Sequence, residues 1–218
     1  VSGTMAQEIA TWENWCKSAV TFTFDDAANE WSSHSWGAEQ LDQYGFKATF
    51  YMVTNWANGG WNNYKGLANR GHEIGSHSDS HSSSGSELST SKKTIETNIG
   101  QPCLTVAYPN CNHMGSEVLN NYIGGRICGG SINSKSPSDL SRYDAIMCGS
   151  QGSVNSKDGF TGKCSQANGG WVAFLIHGFQ GSAGNGSYSP TDKSAFSGAL
   201  QWLDQNKKDY WVCTARDA

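Results

Sequence analysis

Charge is scarce in this sequence. Only 16 % of its 218 residues are charged, too few for the faces of a coiled coil or for a charge-extended disordered chain. A basic excess is missing too: 19 acids against 15 bases leave a net charge of −4, so the electrostatic footprint of a nucleic-acid binder is absent. No apolar run approaches the roughly 18 residues that a membrane-spanning helix needs, and neither partner class is expected. The seven cysteines (Cys16, Cys103, Cys111, Cys128, Cys148, Cys164 and Cys213) contain no C-x-x-C pair, which sets aside a structural zinc knot. Internal repeats and long linkers are lacking as well. Residues 1–218 therefore read as one domain, with a core over about 19–215.

What is abundant is Gly (26 residues) and aromatic surface, 11 % of the chain with 9 Trp, enough apolar material for a core. Scattered cysteines among abundant Ser, Asn, Gly and Trp fit a secreted, extracellular protein with disulfides. An odd cysteine count leaves at least one thiol unpaired. Asn185-Gly186-Ser187 is a glycosylation sequon. Val1–Met5 reads as a remnant ahead of the domain without a recognisable signal peptide, so secretion is inferred from composition. A monomer is expected.

Eight short apolar stretches read as strands: Ala19–Phe24, Phe46–Val53, His72–Ser76, Leu104–Tyr108, Gly125–Cys128, Ala145–Cys148, Val172–Ile176 and Tyr210–Thr214. Between them fall helices at Trp36–Tyr44, Asn62–Arg70, Ser86–Ile99 (capped by Ser86) and Ser116–Tyr122. The last helix starts at Ser189-Pro190, as cap and first-turn proline, and repeats Phe196, Ala199, Leu200 and Leu203 at helical spacing. Residues Gly129–Gly170 read as long loops on one face. Strands alternating with helices predict an α/β fold with a parallel sheet, and seven or eight strands in one domain suit a barrel.

In such folds reactive side chains collect at the carboxyl ends of strands. Asp25-Asp26, then His77 with His81, then Pro109-Asn110, and His177 all sit there. Histidines at i and i+4 on a helical turn, joined by Asp26, make a two-histidine, one-carboxylate set with coordination positions left open. Adjacent residues on extended backbone point apart, so Asp25 can face the attacking water as general base while Asp26 binds metal. His177, opposite the Asp pair, is placed to be a general acid.

Thr23-Phe24-Asp25-Asp26, His77-Ser78-Asp79-Ser80-His81 and Leu175-Ile176-His177 resemble three signature motifs of the polysaccharide deacetylases, carbohydrate esterase family four. Gly71-His72-Glu73-Ile74-Gly75 precedes the histidine motif as in that family, and Ala107-Tyr108-Pro109 is similar to a variant of the third motif. The resemblance implies a distorted (β/α) barrel of about seven parallel strands and a metal-dependent hydrolase of acetylated polysaccharides or oligosaccharides. Asp25 would be the base, His177 the acid, and Asp26, His77 and His81 the ligands of a divalent ion, zinc first, with cobalt, nickel or manganese as others. The Asn110 N–H would help hold the oxyanion, with Tyr108 and Pro109 against substrate. N-acetylglucosamine units, as in chitin-type oligomers or peptidoglycan, are the leading substrate; O-acetyl-xylan, or glycan binding without turnover, are the alternatives.

The chain departs from the family pattern twice. Ala107 stands where many members carry the Arg that orients the base, and the Asp-and-Trp motif that supports the catalytic His is not recognisable between Gly129 and Gly170. Arg126 can supply the first of these from the next strand, as a permanent cation pairing with Asp25. Trp31 and Trp61, in polar loop surroundings, are the expected platforms for sugar rings.

Overall fold

β-Branched and aromatic residues alternate along the longest strand, and this alternation sends one set outward and the other inward. The computed structural model describes residues 10–181 and 187–218; the sequon residue Asn185 and the Val1–Met5 stretch lie outside them. Eight strands form one sheet with every pairing parallel: β1 (Ser18–Ala27), β2 (Thr49–Met52), β3 (Glu73–Ser76), β4 (Thr105–Ala107), β5 (Gly124–Arg126), β6 (Ile146–Met147), β7 (Trp171–Ile176) and β8 (Tyr210–Val212). Their order is β5-β4-β3-β2-β1-β7-β6, with β8 attached to β1. β7 takes one edge of β1, so β8 and β2 share the other, β8 on residues 18–20 and β2 from Thr23 onward. The two ends of the sheet curl together, and a bridge between Arg126 and Tyr143 spans them. The result is the expected α/β single-domain barrel, distorted and incompletely closed.

Helices α1 (Trp31–Asp42), α2 (Trp61–Asn69), α3 (Glu87–Ile99), α4 (Lys157–Gln166) and α5 (Lys193–Gln205) cover the outside. Val20, Phe22 and Phe24 of β1 face them; Phe22 stacks on Phe174 of β7 at 5.5 Å and Phe24 on Phe50 of β2 at 4.7 Å. Each fully buried Phe contributes roughly 1.5–3 kcal/mol relative to exposure. The alternate residues Thr21, Thr23 and Asp25 point the other way, into a polar barrel interior. There the buried Glu73 accepts from Thr49 Oγ1 (2.8 Å), Thr105 Oγ1 (2.7 Å) and Arg216 N (3.0 Å). Tyr51 bonds Thr105 Oγ1 (3.1 Å) and the Tyr143 hydroxyl, and the bare α-carbon of Gly75 makes room for its ring, since a Cβ there would lie 2.5 Å from Tyr51 Cε1.

Several local expectations are corrected. α1 begins at Trp31, not Trp36, and α2 at Trp61, so both tryptophans open helices instead of lying in loops. Ser86 precedes α3 without a side-chain cap bond. α5 starts after Asp192, whose carboxylate accepts from Ala195 N at 2.7 Å; Ser189 instead pins a loop, accepting from Gln151 N and donating to Cys148 O. The expected helix at 116–122 is a 3-10 turn, Ser116–Asn120. Residues 129–170, expected as loops apart from the strand at Ala145–Cys148, also hold α4, capped by Ser156 and packed through Phe160 against the Phe22, Phe174 and Phe196 rings. Among the described residues one disulfide forms, Cys111–Cys128, and Cys16, Cys103, Cys148, Cys164 and Cys213 are buried free thiols. No helix of the described residues is long and apolar enough to cross a membrane.

Candidate active site and metal centre

At the carboxyl end of β1 the backbone departs from a regular strand. Phe24 pairs with Phe50 but Ala27 with Met52, so β1 carries one extra residue there, and Asp26 takes a left-handed φ of 61°. Such a bulge re-aims side chains. Asp25 stays in the barrel interior, 3 % exposed, while Asp26 turns to the rim.

His77 follows β3, and its Nδ1–H donates to the Ala107 carbonyl at 2.8 Å. A carbonyl can only accept, so this bond fixes the tautomer and leaves the Nε2 lone pair facing the site. The loop to His81 is not the helical turn that the spacing suggested. It is irregular, with Ser78 at φ 67° and His81 at φ 62°, conformations disfavoured for side-chain-bearing residues unless surroundings impose them. Glu87, at the start of α3, accepts from Asp79 N (3.1 Å), Ser80 N (2.9 Å) and Ser80 Oγ (2.5 Å). The Asp79 carboxylate accepts from Thr54 Oγ1 and from Asn55 Nδ2. Trp56 stacks on the His81 ring, centroids 5.3 Å apart.

Asp26 Oδ1 lies 3.7 Å from His77 Nε2 and 3.6 Å from His81 Nε2. The three donor atoms converge within 4.8 Å, and Asp26 Oδ1 is buried without a hydrogen-bond partner. Ligands about 2.1 Å from one tetrahedral ion sit roughly 3.4 Å apart, so these residues fit a divalent cation.

Behind them, Arg126 Nη2 donates to Asp25 Oδ2 at 2.5 Å, both side chains buried. Burial alone would raise the Asp25 pKa; the charge of Arg126, then of His77 and His177, outweighs it and holds the carboxyl below the usual range. Arg126 lies beneath Asp25 and does not line the cavity. His177 follows β7, its ring edge-on to Tyr188 at 5.1 Å and its Nδ1 buried without a partner. Burial lowers its pKa, opposed by the charge of Asp25. The His177 carbonyl accepts from His34 Nε2 (3.0 Å), which leaves His34 Nδ1 to accept from the Tyr64 hydroxyl (3.1 Å). His34, fully buried on α1, was missed in the sequence because it falls on no strand end.

Asn110 lies in the turn Pro109–Cys111, at φ 53°. The turn's bonds run from Cys111 N to Tyr108 O and from Asn112 N to Pro109 O, leaving the Asn110 N–H without an acceptor in the turn. Tyr108 contributes a wall, its hydroxyl turned away to Ser141 O; Pro109 is buried and does not line the cavity. The cavity, about 400 Å³, brings together the Asp pair, His77, His81, His177, Asn110 and Tyr108, with Met147, Leu175 and the disulfide as its apolar side and Tyr188 beside them. Trp31 and Trp61 do not reach it: both pack on the helix-side core, Trp31 edge-on to Tyr64 at 5.2 Å. A larger hollow of about 990 Å³ opens at the amino ends of β1 and β7 and, among the described residues, holds no acid–histidine cluster.

Residues 13–115 match the polysaccharide deacetylase family, a stretch holding Asp25, Asp26, His77, His81 and Asn110. A gellan lyase from a Bacillus species is 30 % identical over 145 residues, covering 62 % of this chain and 6 % of that protein; the chain thus spans a small part of the curated relative it matches. The family 4 acetyl xylan esterase of Clostridium thermocellum, whose structure holds a cobalt ion, has a TM-score of 0.62 at 21 % identity, covering 91 % of this chain and 89 % of that one. The catalytic domain of a peptidoglycan N-acetylglucosamine deacetylase from Eubacterium rectale has a TM-score of 0.58 at 16 % identity, covering 91 % and 89 %. At these identities the structures speak for the fold, and the family match speaks for the motifs. Residues 13–115 are thus similar to a polysaccharide deacetylase domain, and the chain shares the fold of the family 4 esterase and deacetylase structures.

Proposed function

We propose that the chain removes acetyl groups from a glycan by hydrolysis, with N-acetylglucosamine-containing polymers as the leading substrate and a divalent ion, zinc first, as cofactor. One observation carries this reading: Asp26, His77 and His81 converge beside an Asp25 that Arg126 keeps ionised, in one cavity with His177. Asp26, His77 and His81 would hold the ion, which when bound supplies Lewis-acid polarisation of the acetyl carbonyl. Asp25 accepts the proton of the attacking water, and the Asn110 N–H donates to the developing oxyanion. His177 gives a proton to the departing sugar nitrogen or oxygen as the bond to the acetyl carbon breaks, leaving acetate. Among the described residues no Lys lines the cavity, and Arg126 is spent on Asp25, which suits an uncharged acetylated sugar at the reacting centre.

An O-acetyl ester is the second reading. Among the described residues His177 Nδ1 has no hydrogen-bond partner, and burial lowers its pKa, so its proton donation suits an alkoxide, which needs less help than an amine. A secreted location belongs to the same proposal, supported by the Cys111–Cys128 disulfide. The test is acetate release from a panel of N- and O-acetylated glycans, after chelation and after zinc is restored. Release that chelator abolishes and zinc recovers is the expected result; no release from any substrate with zinc present would leave a glycan-binding domain without turnover.

A further inference from the structure

One covalent bond ties together two segments that carry different parts of the site. Asn110 immediately precedes Cys111, and Arg126 stands two residues before Cys128. The Cys111–Cys128 Cα atoms are 5.5 Å apart, an ordinary disulfide span, and both residues line the cavity.

Neither segment is held firmly by its own local structure. Asn110 and Cys111 are consecutive residues at left-handed φ, 53° and 61°, a conformation that neither side chain favours. The turn's two internal hydrogen bonds, 3.0 and 3.1 Å, do not bear on the Asn110 N–H. On the other side, β5 is three residues long and ends the sheet path. It meets the turn through Tyr108 N to Arg126 O at 3.1 Å, and past Arg126 its backbone bond runs to the other side, Ile127 N to Tyr143 O at 2.9 Å. A cross-link placed just beyond both groups fixes their separation where backbone pairing between the two segments stops.

We infer that the Cys111–Cys128 disulfide is a positioning clamp for the reaction, holding the Asn110 N–H and the Arg126 guanidinium in register about Asp25. The inference rests on the deacetylase reading above. The proposed metal ligands come from β1 and the loop after β3, neither of which the disulfide joins. The clamp therefore acts on turnover and not on metal binding. Oxyanion donors lose their effect when displaced by about an ångström, so a freed turn should still admit substrate yet convert it slowly.

Two preparations test this: the Cys111→Ala/Cys128→Ala double variant, and the native chain treated with a water-soluble phosphine. The phosphine cleaves the bond to two thiols and itself takes up the oxygen of one water. The five other described cysteines are free thiols, so among the described residues it has a single target. In both preparations kcat for acetate release should fall on the order of 10-fold or more, with KM and bound zinc per chain unchanged. Amide hydrogen exchange should quicken at residues 110–112 and stay constant along β1 and β7. Unchanged kcat and exchange would overturn the clamp. So would a joint fall of metal content, β1 protection and activity, which marks a general staple of the fold. If no form releases acetate with zinc present, the deacetylase reading fails by itself, and the exchange at residues 110–112 alone decides the clamp.

Discussion

Asp25 keeps a negative charge where almost no water reaches it, and Arg126 is the counter-charge that makes this tolerable. Removing one partner of a buried pair strands the other, at about 3–5 kcal/mol. Arg126→Met should therefore lower the urea unfolding free energy at pH 7 by that order, with acetate release falling alongside. Arg126→Lys keeps the charge but not the planar fork; it should recover most of the stability and little of the kcat. An Arg126→Met chain as stable as the native one would refute the pairing's importance. For the metal ligands, His77→Ala or His81→Ala should leave a folded chain that loses zinc on dialysis, read by metal content and thermal melting. Arg126 was legible as a permanent cation on a strand that could replace the missing Arg, although it closes β5 instead of opening its strand and reaches Asp25 across the barrel interior. Glu87, Trp56 and His34 were not: each acts by holding another residue's backbone or ring, a role that leaves no spacing in the sequence.

Elements were legible where hydrophobic period was strong and obscure where packing replaced it. β1, β7 and the body of α5 could be read directly, though the cap of α5 is Asp192 and not Ser189. α4 was hidden because Gly159 and Gly162 lower helix propensity by roughly 1 kcal/mol each relative to Ala, and only Phe160 and Cys164 bury. Polar neighbours likewise made Trp31 and Trp61 look exposed, whereas opening a helix turns them onto the core. Trp31→Ala and Trp61→Ala should consequently lower the melting temperature by several degrees and leave relative affinity for long and short oligosaccharides unchanged. An altered chain-length preference at constant stability would reinstate them as platforms. At α5, Asp192→Ala removes the bond to Ala195 N and should cost about 1 kcal/mol in unfolding free energy, with no effect on acetate release.

On the scale of the whole molecule, two buried histidines away from the metal site set the acid limit of stability. His34 and His72 are fully buried, and burial pushes each pKa down from 6.5 to about 4. In the unfolded chain each takes up a proton below about pH 6.5, but in the folded chain only near pH 4. Their contribution is complete above pH 6.5 and drains away as pH falls, by on the order of 3 kcal/mol per histidine at the acid end. Melting curves of chelated protein should fall steeply between pH 6.5 and 4.5, and less steeply for His72→Gln; a flat native curve would contradict this. The parallel order of the strands was readable from their alternation with helices, but the way the sheet ends meet was not, since Tyr143 lies in a stretch without period. That meeting has a mechanical consequence. Where β5 approaches residues 141–143, the backbone link is the Arg126–Tyr143 bridge with Ile127 N to Tyr143 O at 2.9 Å, a thin seam beside a continuous run of paired strands. Arg126 is part of that seam, so it works as a fuse: mild urea should part it first and extinguish acetate release at a lower concentration than it takes to erase the far-ultraviolet circular dichroism of the barrel.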